Sequence, residues 1–356
     1  MTSTLPTQNL RVRSEVGLTP PRDLQKELPL SDAAQATVIE ARDSIRGLLL
    51  GTNPNPRLMV VVGPCSIHDV KAAREYANLV EKWREQYGRQ LLILMRVYFE
   101  KPRTTTGWKG LLNDPHLDGS YDIEAGLRTG RSLLVELAER GIPAASEILD
   151  PIAPQYLGDV IAWAAIGART TESQTHREMA SGVSMPVGFK NGTDGTFDSA
   201  INAMRSASEP HHFLGIDGGG RVSMIGTAGN ADTHIVLRGG AGGPNFDAAS
   251  VVAATAILDK QKLCSRILID CSHGNSRKDY RRQPEVSADV AKQLYAGSRN
   301  ILGVMIESHL QPGNQPFSVE TKKPLQYGLS ITDGCVAPDT TDAMLAELAG
   351  AVAART

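Results

Sequence analysis

Short apolar runs alternate with amphipathic stretches along most of this chain. The apolar runs fall at 58–62, 91–96, 143–147, 168–172, 186–190, 233–238, 266–270 and 302–307. They are short and rich in Val, Ile and Leu, as strands buried on both faces are. Between most of them lie segments with apolar residues at helical spacing, among them 70–86, 122–140, 247–260 and 285–296. Strands alternating with helices predict a parallel sheet, and eight of them predict a closed (β/α)8 TIM barrel within the α/β class. An open doubly wound sheet is the alternative. It would be favoured by a G-x-G-x-x-G opening the helix after the first strand, and none stands there.

Two segments depart from a minimal barrel of one domain over 1–356. The first is an N-terminal arm and helix over 1–50. Residues 1 to about 35 are polar, with Pro20-Pro21 and a short apolar set at Leu10, Val12 and Val16. Ser31-Asp32 is placed to cap a helix over 34–50, with apolar positions at Val38, Ile39, Ile45, Leu48 and Leu49. Gly51 and the Asn-Pro-Asn-Pro segment at 53–56 stop it. The second is 211–229, where Phe-Leu-Gly-Ile-Asp-Gly-Gly-Gly-Arg-Val-Ser-Met-Ile predicts an inserted β-hairpin around a glycine turn.

Charge narrows the partners. With 37 Lys and Arg against 39 Asp and Glu, the net charge of −2 gives no global field for nucleic acid or an anionic membrane. No apolar run approaches the eighteen or so residues that span a bilayer, and the first ten residues lack the pattern of a secretory signal. The four cysteines, Cys65, Cys264, Cys271 and Cys335, are sparse and without C-x-x-C spacing. That favours a reducing cytoplasm over a disulfide framework.

Chemistry concentrates where the strands end, the face on which a barrel of this kind builds its active site. Cys65 follows the first run, Arg96 ends the second, Glu147 ends the third and Arg169 lies in the fourth. Lys190, Arg238 and Glu307 end the fifth, sixth and eighth, and His273 follows the seventh. Arg96, Arg169, Lys190 and Arg238, with Lys101 and Arg103 in the adjoining loop, form a cationic set suited to a small polyanion. Ion-paired structural bases are the plainer reading. Cys65, His273 and Glu307, joined by Asp333, make a donor set for a divalent transition metal. A cysteine nucleophile with His273 as its base competes with that reading. His68 is expected to hydrogen-bond locally and Cys264 to pack beside a helix.

Several long motifs carry a resemblance. They are Gly-Pro-Cys-Ser-Ile-His-Asp at 63–69, Lys-Pro-Arg-Thr-Thr-Thr-Gly-Trp-Lys-Gly at 101–110 and Gly-Ala-Arg-Thr-Thr-Glu-Ser-Gln at 167–174. Pro-Val-Gly-Phe-Lys-Asn-Gly-Thr-Asp-Gly at 186–195, Leu-Arg-Gly-Gly at 237–240, Asp-Cys-Ser-His-Gly-Asn-Ser at 270–276 and Ser-Ile-Thr-Asp at 330–333 follow in order. The chain resembles the metal-dependent 3-deoxy-D-arabino-heptulosonate 7-phosphate (DAHP) synthases of the short, feedback-regulated type. The resemblance implies condensation of phosphoenolpyruvate with erythrose 4-phosphate, the entry step of the shikimate pathway. It implies a divalent ion (Mn2+, Co2+, Fe2+ or Zn2+) on Cys65, His273, Glu307 and Asp333. Phosphoenolpyruvate would be held by Arg96, Arg169, Lys190 and Arg238 with Glu147 nearby, and the sugar phosphate by Lys101, Arg103 and Thr104. Lys101 is the implied candidate for general acid, and Glu147 for orienting water.

The resemblance also implies an aromatic amino acid as inhibitor, bound beside the inserted hairpin and lined in part by a neighbouring subunit's arm. Gln155, Ser184, Phe213 and Gly215, with Gln8 and Asn9 of the arm, are the matching positions. Gly215 stands where phenylalanine-sensitive members have serine, so tyrosine is the expected inhibitor. The arm's role implies a homodimer or homotetramer. A synthase using another aldose and a catalytically dead amino-acid sensor are the rival readings.

Overall fold

The chain runs through α1 (Pro21–Glu27), α2 (Asp32–Leu50), β1 (Leu58–Gly63), α3 (Val70–Tyr87), β2 (Leu91–Arg96), α4 (Ile123–Glu139) and β3 (Ala144–Glu147). It continues with α5 (Ala153–Leu157), β4 (Ile161–Ile166), α6 (Gln174–Gly182), β5 (Val187–Lys190), α7 (Asp198–Ala207), β6 (His212–Ile216) and β7 (Val222–Gly226). It ends with β8 (Thr233–Leu237), α8 (Ala248–Lys260), β9 (Ile267–Asp270), α9 (Gln283–Tyr295), β10 (Ile301–Glu307) and α10 (Pro338–Ala354). The computed structural model describes residues 7–53, 57–320 and 323–355. The Asn-Pro-Asn-Pro stop signal lies mostly outside them, as does the start of the arm.

Eight strands close a parallel barrel in the order β1-β10-β9-β8-β5-β4-β3-β2, as the alternating pattern predicts. Their period of two sorts the side chains. Met59 and Val61 of β1 point inward with Leu92, Leu94, Trp163 and Met305. Leu58, Val60 and Val62 join the larger core under the helices. In β1–β10 pairing Gly63 sits opposite Glu307, which brings the loop after β1 beside the end of β10.

Helix α2 closes the barrel's N-terminal end. Ser31 Oγ accepts from the Ala34 backbone N–H at 3.2 Å, and Gly51 ends the helix in the left-handed region at φ 67°. Ala41, Ile45, Leu48 and Leu49 pack into the interior cluster. Arg42 Nη2 donates to the carbonyls of Gly158 at 2.6 Å and Ile161 at 2.7 Å, next to and at the start of β4.

The fourth strand is a correction. The sequence predicts it at 168–172, with Arg169 inside it; the strand is Ile161–Ile166 and Arg169 lies in the loop that follows. The β-branched pair drew the prediction, but Thr170 and Thr171 fold back on Gly167. Both backbone N–H groups and both hydroxyls donate to its carbonyl at 3.0–3.2 Å. The true strand is built on small residues around Trp163. The arm is also more ordered than expected, since it contains α1.

The inserted hairpin forms as predicted, with β6 and β7 antiparallel. Its base is tied by Ser181 Oγ and Thr227 Oγ1 at 2.6 Å, and at its tip Gly218 O accepts from the Arg22 N–H at 2.8 Å. Leu214, Val222 and Met224 remain exposed on its outer face. Among the described residues no helix is long and apolar enough to cross a membrane.

Candidate functional site

Gly63 ends β1 against the neighbouring strand: a Cβ there would stand 2.7 Å from the Arg96 carbonyl oxygen. Pro64 and the fully buried Cys65 follow. The donor atoms of Cys65, Glu307 and Asp333 all lie within 4.8 Å of one another, and Cys65 Sγ is 3.8 Å from Asp333 Oδ2. His273 is outside that closest trio but beside it, its Nε2 4.0 Å from both Glu307 Oε1 and Asp333 Oδ2. Its other ring nitrogen stands 2.9 Å from Asp270 Oδ2, a close contact without hydrogen-bond geometry. That carboxylate leaves Nε2 facing the trio, the usual arrangement behind a metal-bound imidazole. A thiol, an imidazole and two carboxylates at these separations fit a borderline divalent ion with bonds of about 2.0–2.3 Å.

Glu307 is held in place on every side. Its backbone N–H donates to Gln283 Oε1 at 2.8 Å and its carbonyl accepts from Gln283 Nε2 at 2.9 Å. Its carboxylate accepts from Ser272 Oγ at 2.8 Å and from Arg96 Nη2 at 2.9 Å. Burial and then the Glu307 charge push the Cys65 thiol up to about 11, against the pull of Lys101. Burial also raises the Asp333 carboxyl, but Lys101 and His273 outweigh it and hold it below its ordinary value. The Asp333 side chain is itself 65% exposed, so it faces the mouth from the rim.

The cations lie around this set. Lys101 Nζ donates to Cys65 O and approaches Cys65 Sγ, both at 3.2 Å. Arg96 is fully buried, and its guanidinium lies 3.4 Å from the centre of the Tyr98 ring. Lys101 and Lys190 Nζ stand 5.9 Å from the same ring. Lys190 also pairs with Asp270 Oδ2 at 3.1 Å. Arg96 and Lys190 are thus both ion-paired, Arg96 with Glu307 and Lys190 with Asp270. Arg103, Arg169 and Arg238 instead line an open cavity of about 120 Å3 with Lys101, Lys190 and His273. Glu147 and Asp333 are the acids of that lining, so the space is cationic. Arg96 lies behind it, and Thr104 is exposed on the loop beside it. A larger cavity, about 430 Å3, opens at the opposite end of the barrel; its lining has no thiol, imidazole or carboxylate for this chemistry.

Glu147 Oε1 is buried and without a hydrogen-bond partner among the described residues. Gly167 makes room for it, since a Cβ there would stand 2.5 Å from that oxygen. Sequence reasoning missed Asp270, Tyr98 and Gln283. Asp270 had a visible signal, its spacing of three before His273; Tyr98 and Gln283 had none. Cys264, Cys271 and Cys335 are free thiols outside the donor trio. His68 is buried, with its ring edge-on to that of His309.

The residues expected to form a regulatory site lie around the hairpin and the arm. Phe213 and Gly215 are in β6, and Ser184 follows α6, whose end the hairpin base abuts. Gln155 in α5 accepts from Gln25 Nε2 of α1 at 3.0 Å, so α1 joins α5 to the hairpin tip. Gln8 and Asn9 are exposed on the arm, Asn9 Nδ2 donating to Glu15 at 3.4 Å.

The model of the DAHP synthetase I family matches residues 38–346. The Tyr-sensitive phospho-2-dehydro-3-deoxyheptonate aldolase of Escherichia coli K12 is 52% identical over 340 residues, covering 96% of this chain and 94% of that one. The Phe-sensitive enzyme of the same organism is 51% identical over 347 residues, covering 98% of each. The solved structure of the corresponding aldolase from Francisella tularensis SCHU S4 superposes with a TM-score of 0.93 at 48% identity, over 97% of this chain and 99% of that one. With the barrel, the strand-end donors and these likenesses in agreement, the chain belongs to the DAHP synthetase I family.

Proposed function

We infer that this chain condenses phosphoenolpyruvate with erythrose 4-phosphate and water, giving DAHP and inorganic phosphate, the first step of the shikimate pathway. The observation that carries the reading is the shared mouth: a compact donor set opens directly into a cationic cavity. Cys65, His273, Glu307 and Asp333 are the residues to hold a divalent ion. When bound, such an ion supplies Lewis acidity to a substrate carbonyl.

The chain's own residues do the rest. Arg169, Lys190 and Arg238 present forks and an ammonium to the phosphate and carboxylate of phosphoenolpyruvate. Arg96, fixed on Tyr98 and Glu307, adds buried positive charge behind them. Lys101 and Arg103, with Thr104 on the same loop, receive the sugar phosphate. Carbon–carbon bond formation between C3 of phosphoenolpyruvate and the aldehyde leaves an alkoxide, and Lys101 is placed to give it a proton. Glu147 Oε1, unpartnered in the cavity wall, orients the water that adds at C2 before phosphate leaves by C–O cleavage.

The test is release of phosphate from phosphoenolpyruvate with erythrose 4-phosphate, arabinose 5-phosphate or a mannosamine in turn. Turnover with erythrose 4-phosphate alone is the expected result. Turnover with another aldose, or with none, would replace the reading by one of its rivals. Lys101→Met lowers kcat by roughly 100-fold or more as general acid; an intact rate removes Lys101 from that role.

For regulation, near-equal identity to Tyr-sensitive and Phe-sensitive relatives decides nothing. Gly215, where phenylalanine-sensitive relatives resemble one another in having serine, favours tyrosine; a Cβ there would stand 2.8 Å from Ile225 Cγ1, so Ile225 takes the space that a serine would need. The site is completed by Gln8 and Asn9 of a second copy, in a homodimer or homotetramer.

A further inference from the structure

The cavity at the barrel's N-terminal end has chemistry of its own. Arg57, Arg266, Arg299 and Arg355 converge on it from the starts of β1, β9 and β10 and from the end of α10. Its volume of about 430 Å3 falls in the range of small-molecule pockets, roughly 300–1,000 Å3. Ile301, Leu302 and Val352 give it apolar walls.

The arginines are anchored by neutral groups. Arg266 Nη1 donates to the Arg299 carbonyl, Arg355 Nη1 to the Ser298 carbonyl at 3.2 Å, and Arg57 Nη2 to Ser44 Oγ at 3.3 Å. Gly51 leaves the space for one of them, since a Cβ there would meet Arg266 Nη2 at 2.9 Å. Among the described residues no carboxylate lines the cavity, and none of the four guanidiniums is in an ion pair. Burial, then Arg266 and Arg299, hold the Arg355 guanidinium below its ordinary value, and burial alone does so for Arg57. Arginines that served only for solubility would point apart into water. Here three are half-buried and all four face one concavity, with no carboxylate among the described residues to relieve their mutual repulsion.

We propose that this cavity is a second anion site, distinct from the catalytic mouth, for a small molecule carrying several phosphate or carboxylate groups. Guanidinium forks match either group bidentately, and an occupant would bridge the end of α2 to the end of α10.

Crystals of the full chain soaked in tungstate locate the site by anomalous scattering. Calorimetry with pyrophosphate, and separately with citrate, reads it in solution. In the wild type we expect an anomalous peak among the four arginines and a class of binding sites beyond those of the mouth. In Arg299→Gln/Arg355→Gln that class weakens by roughly tenfold or more, while kcat/KM with both substrates is unchanged. Arg299→Lys/Arg355→Lys retains part of the binding and controls for folding. Preference for pyrophosphate marks a phosphate site, and preference for citrate a carboxylate site; either supports the proposal. Tungstate in the mouth only overturns it, as does binding that survives in the glutamine variant. A peak in the cavity with no second binding class in solution marks an adventitious ion only and overturns it equally.

Discussion

Asp270 shows what a single residue contributes behind the donor set. Its buried carboxylate lies 2.9 Å from His273 Nδ1 and 3.1 Å from Lys190 Nζ. Burial would raise its pKa, but His273 and Lys190 hold it well below the usual carboxylate range. Asp270→Asn removes the charge that orients the imidazole and fixes the lysine. Affinity for Co2+, followed by the absorption of the bound ion, is expected to fall roughly 10- to 100-fold; unchanged affinity would make Asp270 a partner of Lys190 alone. Gly215 tests the other end of the residue scale. In Gly215→Ser the new side chain meets Ile225, and we expect the concentration of tyrosine for half inhibition to rise while that of phenylalanine falls. The strand-end residues were legible because each carries its own chemistry at a recognisable place. Asp270 was legible only through its spacing of three before His273, because Ile-Leu-Ile-Asp ends like any buried strand and its pairing with Lys190 joins residues far apart in sequence.

At the scale of elements, α2 is the clearest case of a segment read correctly and then given a larger role. Its cap, apolar spacing and glycine stop were visible in the sequence. Its place as the plug of the barrel was not, because periodicity gives a face and not what the face meets. Ile45 is fully buried with the interior cluster. Ile45→Ala should therefore cost about 2–5 kcal/mol in a urea titration, whereas Ser31→Ala, which loses one cap contact, should cost about 1 kcal/mol. Near-equal losses would mean that α2 is held by its ends and not by the plug. Strand β4 failed for a related reason. Ala-Trp-Ala-Ala is a weak strand signal on propensity, yet the barrel accepts it because Trp163 fills the interior that its small neighbours leave.

Over the whole molecule, the closed sheet was legible because seven of the eight predicted runs are barrel strands and the missed one is replaced by a strand a few residues earlier, so the alternation with helices, a pattern few architectures accommodate, is kept. The interior's polar contacts were not legible, and one of them sets a pH response. His234, fully buried in β8, accepts from Trp163 Nε1–H at 2.9 Å through Nε2 and approaches the Ile235 carbonyl at 3.0 Å through Nδ1. With Nδ1 as the donor, both ring nitrogens are satisfied only in the neutral imidazole. A proton on Nε2 would face the indole N–H. Burial lowers the pKa of His234 to about 4, the Ile235 carbonyl opposing the shift. A histidine depressed in the fold binds its proton more readily when unfolded. Its contribution is complete above the unfolded value of about 6.5 and is lost as pH falls toward 4. By pH 5 the loss from this one group is roughly 2 kcal/mol. His234→Gln, which keeps an acceptor and a donor but cannot titrate there, should be less stable than wild type at pH 7. The gap in urea midpoint should then narrow by pH 5. Other carboxylates and histidines titrate in both proteins and cancel in the difference. A gap that stays constant between pH 7 and pH 5 would mean that His234 takes up its proton inside the fold without cost, and that the Trp163 contact does not fix its charge.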